Sequence, residues 1–361
     1  MMREQRKLME EDEQTKLVMQ ALRGANTNED DFQDANVRMK VVEMREGEKD
    51  LPTTYDPDAL ADYFGKRPGA VFSRVLQVAS TSASYLTGLA WDAARGKLEE
   101  AEVARAAQLR RTIVSLGPFF IKLGQALSIR PDILSPRAMV ELQQLCDKVP
   151  SFPSDLAFAT ICEELDVDSV GEVFSEITPE PVAAASLGQV YKATLRSTGD
   201  EVAVKVQRPF VLETVTVDLF IVRSVGKVVG SWFPNLKSRV DIVALLDEWA
   251  ARFFEELDYV KELEHTERFA ESMAKELPQV IVPKSYPEYT SRKVLVSEWI
   301  EGEKLAQSTA APSSPALRAQ TPTPMRPRHP RQRCQLSQRL LQWLHARPHR
   351  GARLGPVKSD H

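Results

Sequence analysis

Lys205 follows the apolar triplet Val202-Ala203-Val204 and lies seventeen positions after Gly188. Ahead of it stand Ala183, Ala184, Ala185 and Ser186, then Gly188 and Val190. Small residues let main-chain N–H groups approach phosphate oxygens without side-chain interference. A lysine on a following strand can reach the same phosphates. Alanine keeps the close approach but lacks glycine's freedom at φ > 0, so this loop is expected to be stiff. Residues 181–206 read as strand, tight loop, strand, turn, strand, with Gly199-Asp200 as an ordinary hairpin connection. Taken alone, the stretch fits a plain β-hairpin with a small-residue turn equally well.

Lys205 needs a carboxylate to hold it toward phosphates, and the segment FFEELDYVKELEH offers Glu256, Asp258 and Glu262. On one continuous helix, Asp258 and Glu262 are four apart and share a face. Glu256, six residues from Glu262, points elsewhere, so such a helix could serve two lysines. An exposed acidic face is the competing reading. The second lysine candidate is Lys122, with Gln125 three residues on, among Phe119, Phe120, Ile121, Leu123 and Leu127. If buried, Lys122 and Gln125 require partners. If not, they form a polar stripe on an amphipathic helix. Gly124 between them costs about 1 kcal/mol against alanine in a helix, which implies close approach by a neighbour.

The surrounding elements follow from period and punctuation. Residues 1–54 are charged and poorly patterned; residues 55–170 are helical; residues 171–305 form a mixed sheet with a long helix; residues 306–361 break the composition. Apolar positions at helical spacing mark residues 69–95 and 97–115. Gly117-Pro118 opens a helix, since proline is tolerated at a first turn. Further helices are expected near Pro136, over 154–168, over 211–230 and over roughly 240–273. Residues 280–300 read as extended. The order predicts an α+β fold: an N-terminal helical extension on a lobe of antiparallel sheet and long helix.

Composition narrows the classes. The 361 residues are 43% hydrophobic, enough for a large core or two domains. A formal net charge of −4 argues against general nucleic-acid binding. Cys146, Cys162 and Cys334 have no metal-ligand spacing and suit a reducing compartment, and no metal site is expected from them. The uncharged run over 75–91 is broken by Ser and Thr and reads as a packed or amphipathic helix rather than a membrane span. The acid-rich N-terminus resembles neither a secretory signal nor a transit peptide.

Placing G-x-G-x-x-G-x-V of protein kinases on this loop puts Ala183 and Ala185 at the first two glycines and leaves Gly188 and Val190 in place. With that, four motifs stand in one order: K-x-G-Q (Lys122, Gly124, Gln125), the alanine loop continuing into Gly188 and Gln189, V-A-x-K at Lys205, and E-x-D (Glu256, Asp258) with Glu262 beyond. Over residues 55–305 the chain resembles the UbiB family of atypical kinase-like proteins, also called activity-of-bc-one-complex kinases, and its wording is similar to the plant and algal plastid branch. The resemblance implies a kinase-like small lobe under a helical extension that lies over the active site. It implies that Lys122 and Gln125 point into the pocket, with Lys122 meeting Glu256 or Asp258. It pairs Lys205 with Glu262 and with the phosphates of ATP or ADP. It places Val190, Ala203, Glu298 and Ile300 around the nucleotide, residues 298–302 forming the hinge. It also implies Mg²⁺, a role in plastid prenyl-lipid and quinone metabolism, lipid-droplet or thylakoid surfaces as partners, and a chloroplast location.

The C-terminal stretch departs from that pattern. A kinase large lobe supplies a catalytic-loop aspartate, a metal-binding asparagine and D-F-G. Family members carry H-A-D-P-H-P-G-N; this chain has His345-Ala346-Arg347-Pro348-His349-Arg350-Gly351-Ala352, and no D-F-G. Arginine neither accepts a proton nor binds Mg²⁺, so phosphoryl transfer by this sequence is expected to fail and the large lobe is expected to be largely missing. Residues 306–361 hold nine Arg, one Lys, a single acid and eight of the 23 prolines. They read as disordered: a linker or mis-joined coding sequence on one view, a basic arm for an anionic surface on the other. Two functions compete: an ATP-dependent kinase or ATPase, and a non-catalytic nucleotide-binding or lipid and protein scaffold.

Overall fold

The computed structural model describes residues 39–42, 50–132, 134–146, 149–232, 242–277 and 280–302, all within one compact unit. The tail from residue 306, with Cys334, Arg347 and Ala352, lies outside the described residues.

The extension is built by its punctuation. Helix α1 (Pro57–Gly65) starts where the Asp56 carboxylate accepts the Asp58 and Ala59 amides. Helices α2 (Pro68–Ala94) and α3 (Leu98–Leu116) match the two predicted stretches to within a residue. Gly117, at φ 110°, turns the chain into α4 (Pro118–Leu127). Ser135 caps α5 (Pro136–Gln143), which tightens into a 3-10 turn at Gln144–Cys146. Helix α6 (Ser154–Leu165) follows. No described helix is long and apolar enough to cross a membrane.

The short helix α7 (Val170–Val173) and strand β1 (Phe174–Ile177) come next and were not expected from the sequence. Four residues are too few for either period to show. Strands β2 (Ala183–Ala184), β3 (Gly188–Leu195), β4 (Glu201–Gln207) and β5 (Val294–Glu298) complete an antiparallel sheet, in the order β1-β3-β4-β5 with β2 also on β3. Within the expected extended stretch 280–300, a 3-10 turn at Pro287–Tyr289 interrupts and only β5 forms a strand. Alternation in β4 sends Val202, Val204 and Val206 into a core with Tyr191, Phe174 and Ile161 of α6. Lys205 therefore faces the opposite side.

Helix α8 (Val211–Trp232) precedes two helices where one long helix over 240–273 was expected: α9 (Ile242–Glu256) and α10 (Tyr259–Glu276). The break has a local cause. Asp258 adopts extended backbone, and its carboxylate accepts the Val260 amide at 3.1 Å, capping α10. A short polar side chain offers the backbone this alternative to continuing a helix. Extension and lobe share one core: Phe64 of α1 and Phe119 of α4 pack with Val215 of α8, Phe254 of α9 and Leu187 of the small-residue loop. Inside the same contact, Arg74 of α2 donates to both carboxylate oxygens of Asp218 of α8, at 2.8 and 2.7 Å, with both side chains buried.

Candidate functional site

Lys205 sits mid-sheet, paired in register with Val190 of β3 and Leu295 of β5. Ala203, two residues earlier, lies on the same face opposite Lys192 and Ser297. The Lys205 ammonium reaches across to α10 and donates to both oxygens of Glu262, each at 2.7 Å. It also stands 4.5 Å above the Tyr259 ring. Glu262 lies in the first turn of α10. The pair stays accessible: side-chain exposure is 30% for Lys205 and 37% for Glu262.

The small-residue loop closes beside this pair as a hairpin. Ala183 pairs with Val190 and Ala184 with Gln189, and the Ala185 amide donates to the Gly188 carbonyl at 2.8 Å. Among the described residues, positive φ occurs at Asp166, Phe210, Gly96, Gly117 and Gly199, and not in this loop. Alanine can therefore occupy it without strain. Gly188 is needed for space instead: a Cβ there would meet the Val206 carbonyl oxygen at 2.4 Å and the Tyr259 hydroxyl at 2.7 Å. Ala183 and Ala185 are exposed, whereas Ser186 is buried.

The extension brings the second lysine. Lys122 of α4 forms an ion pair with Glu256 at the end of α9. Glu256 and Glu262 thus serve different lysines from different helices. Asp258 does not share a helical face with Glu262, because it is the cap between those helices. Gln125 does not point toward Lys205: its amide donates to the Leu145 carbonyl at 2.8 Å, inside the extension. Gly124 explains the motif's other half. A Cβ there would lie 2.6 Å from Leu145 Cδ1 and 3.2 Å from Ile113 Cδ1, so α4 presses directly on its neighbours.

At the far end of the sheet, Glu298 accepts the Lys284 amide at 3.0 Å and Ile300 is 40% exposed. Lys192 bonds Glu201 at 2.9 Å. Of the carboxylates around the two lysines, Glu262 is paired with Lys205, Glu256 with Lys122, and Asp258 accepts the Val260 amide. Among the described residues no cluster of three potential metal ligands occurs. The donor set among the described residues does not by itself make a Mg²⁺ site.

Tyr259 and Arg208 escaped sequence reasoning, and so did the role of Gln189, which was read only as part of the loop motif. Tyr259 is fully buried beneath Lys205 and the loop, and its hydroxyl finds no hydrogen-bond partner among the described residues. Burial pushes its pKa up, and the charges of Glu262 and Glu256 push it further. Gln189, also fully buried, grips the Phe152 backbone: its carbonyl oxygen accepts the Phe152 amide at 3.0 Å and its amide donates back at 3.1 Å. Arg208, 6% exposed, stacks over Phe152 at 5.1 Å. The only sequence signal for them was polarity inside otherwise apolar strand and helix ends.

The family description for the ABC1 atypical kinase-like domain matches residues 144–341. The chain belongs to that family. Its kinase-like lobe is the antiparallel sheet with α10, preceded by a helical N-terminal region. Among relatives of this ABC1 chain, an uncharacterised protein of Synechocystis sp. is 43% identical over 71% of this chain and 37% of its own length. The Arabidopsis thaliana protein activity of BC1 complex kinase 3, chloroplastic, is 43% identical over 72% of this chain and 36% of its own. Its kinase 1 counterpart, also chloroplastic, is 40% identical over 69% and 36%. The chain therefore spans little more than a third of the length of these curated relatives.

Proposed function

We propose that this ABC1 chain holds an adenine nucleotide, ATP or ADP, with its phosphates between Lys205 and the Ala183–Ser186 loop. The observation that carries this reading is the bidentate Lys205–Glu262 pair, which fixes a solvent-accessible ammonium beside a hairpin of small residues. Ala183, Ala184, Ala185, Ser186 and Gly188 would offer main-chain groups, and Val190, Ala203, Glu298 and Ile300 would border the base. Lys122 and Glu256 would close the site from the extension. Phosphoryl transfer needs in addition a catalytic-loop aspartate and a metal-binding asparagine, so the reading proposed for the described residues is nucleotide holding. The chloroplastic kinase relatives support a plastid setting. Prenyl-lipid or quinone metabolism as the process, and a lipid surface as partner, are proposed on the family resemblance alone.

Titration of the full chain with a fluorescent adenine nucleotide tests the site. Lys205→Met should weaken binding by about 10- to 100-fold, the worth of a charged hydrogen-bonding group. Equal affinity in the variant would remove Lys205 from the site.

A further inference from the structure

The small-residue loop is not a free flap. Leu187 at its tip is buried in the core shared with the extension. Its backbone is held by Arg208, just after β4. The Arg208 amide donates to the Leu187 carbonyl at 2.8 Å. The Arg208 Nη2 donates to two carbonyls at once, Ala185 of the loop at 3.3 Å and Pro150 of the extension at 2.7 Å. The guanidinium stacks on Phe152, whose backbone is in turn gripped by Gln189. Arg208 and Gln189 therefore bracket Gly188 and bind the same short segment of the extension.

The chemistry of this bridge is unusual for a buried cation. Its hydrogen bonds run to carbonyl oxygens, and Nε has no partner among the described residues. Gln207 Oε1 and the Tyr259 hydroxyl, both buried nearby in the chain's path under the loop, also lack partners among the described residues. A loop position that leaves buried polar groups unsatisfied is stabilised less than one that satisfies them. The carbonyl bridge is the side-chain contact that joins the loop backbone to the extension in this rest position.

We propose that Arg208 is a positioning residue that ties the loop to the extension, so that breaking its bridge is what lets the loop open and governs nucleotide exchange. The second half of this proposal rests on the Lys205 reading above. Hydrogen exchange on the full chain without nucleotide reads the first half directly at the Ala185 amide, which closes the hairpin onto Gly188. Arg208→Met should speed exchange there by about tenfold, while amides in the middle of α10 keep their rate. Arg208→Lys, which keeps the charge but is shorter and loses the planar group over Phe152, should fall between and serves if the methionine variant does not fold. Unchanged exchange at Ala185, or equal acceleration throughout, would overturn the tether. Stopped-flow release of a fluorescent adenine nucleotide should accelerate by the same factor, with association faster too, so the dissociation constant moves less than either rate. Faster loop exchange with unchanged release would overturn the link to nucleotide exchange. If the unsubstituted chain binds no nucleotide, the Lys205 reading and the link fall together, and exchange at Ala185 still decides the tether.

Discussion

Replacing Arg74 by methionine deletes the cation from a fully buried ion pair and leaves Asp218 with no guanidinium. Arg74 gives Asp218 two hydrogen bonds and also donates to the Leu116 carbonyl, so α2, α3 and α8 all lose a shared contact. Removing one partner of a buried pair costs about 3–5 kcal/mol, because the remaining charge stays desolvated. For a domain of this size that lowers Tm by roughly 6–20 °C. The cost should depend on pH. Burial already raises the Asp218 pKa to about 6, against the downward pull of Arg74. A carboxyl whose folded pKa is raised binds its proton more tightly in the native state. Stability from this group therefore falls as pH rises from the unfolded value toward the folded one. Without Arg74 the folded pKa rises further, so Arg74→Met should be mild at acid pH, where Asp218 is protonated, and severe above neutrality. Arg74→Met/Asp218→Leu should recover most of the loss at all pH values, since an apolar pair of similar volume is often as stable as a buried ion pair. Thermal unfolding followed by circular dichroism across pH measures all three. A single variant that loses more stability relative to the parent in acid than above neutrality, or is no less stable than the parent at neutral pH, would refute the reasoning.

Three further outcomes follow from local geometry. Gly188→Ala should lower the denaturant midpoint by an amount equivalent to about 1–3 kcal/mol of overpacking, and Tyr259→Phe should not rescue it, because the Val206 carbonyl still blocks the Cβ. Gly124→Ala gains about 1 kcal/mol of helix propensity yet should still destabilise, as its Cβ meets Leu145 and Ile113; Leu145→Ala in the same chain should expose the propensity gain on chemical denaturation. Asp258→Ala should cost about 1 kcal/mol of stability through the lost α10 cap, and Asp258→Asn much less.

The helices of the extension were legible from apolar spacing over 69–95 and 97–115 and from proline at Pro118 and Pro136; Pro57 and Pro68 also stand at helix starts. Strand β4 was legible from Val202, Val204 and Val206, whose alternation also fixes where Lys205 points. The break at Leu257–Asp258 was hidden because the apolar period runs through it, and only the competition between cap and helix decides there. Gln125 misled for a related reason. Its place on a helix face was readable, but its partner is a backbone carbonyl twenty residues away, which leaves no mark in side-chain spacing. The pairings of Lys122 with Glu256 or Asp258 and of Lys205 with Glu262 were expected from resemblance to a known family, since no local pattern joins residues so far apart; Lys122 takes Glu256.

The core in which Phe64 and Phe119 interleave with Val215, Phe254 and Leu187 means the extension is no detachable cap. It and the lobe must melt together. Anything that binds only the folded Lys205 face then withholds the whole unit from unfolding, so occupancy of that face is reported by protease resistance of helices that never touch the ligand. A substitution at Phe64 or Phe119 is therefore felt by the lobe that carries Lys205 through one shared stability.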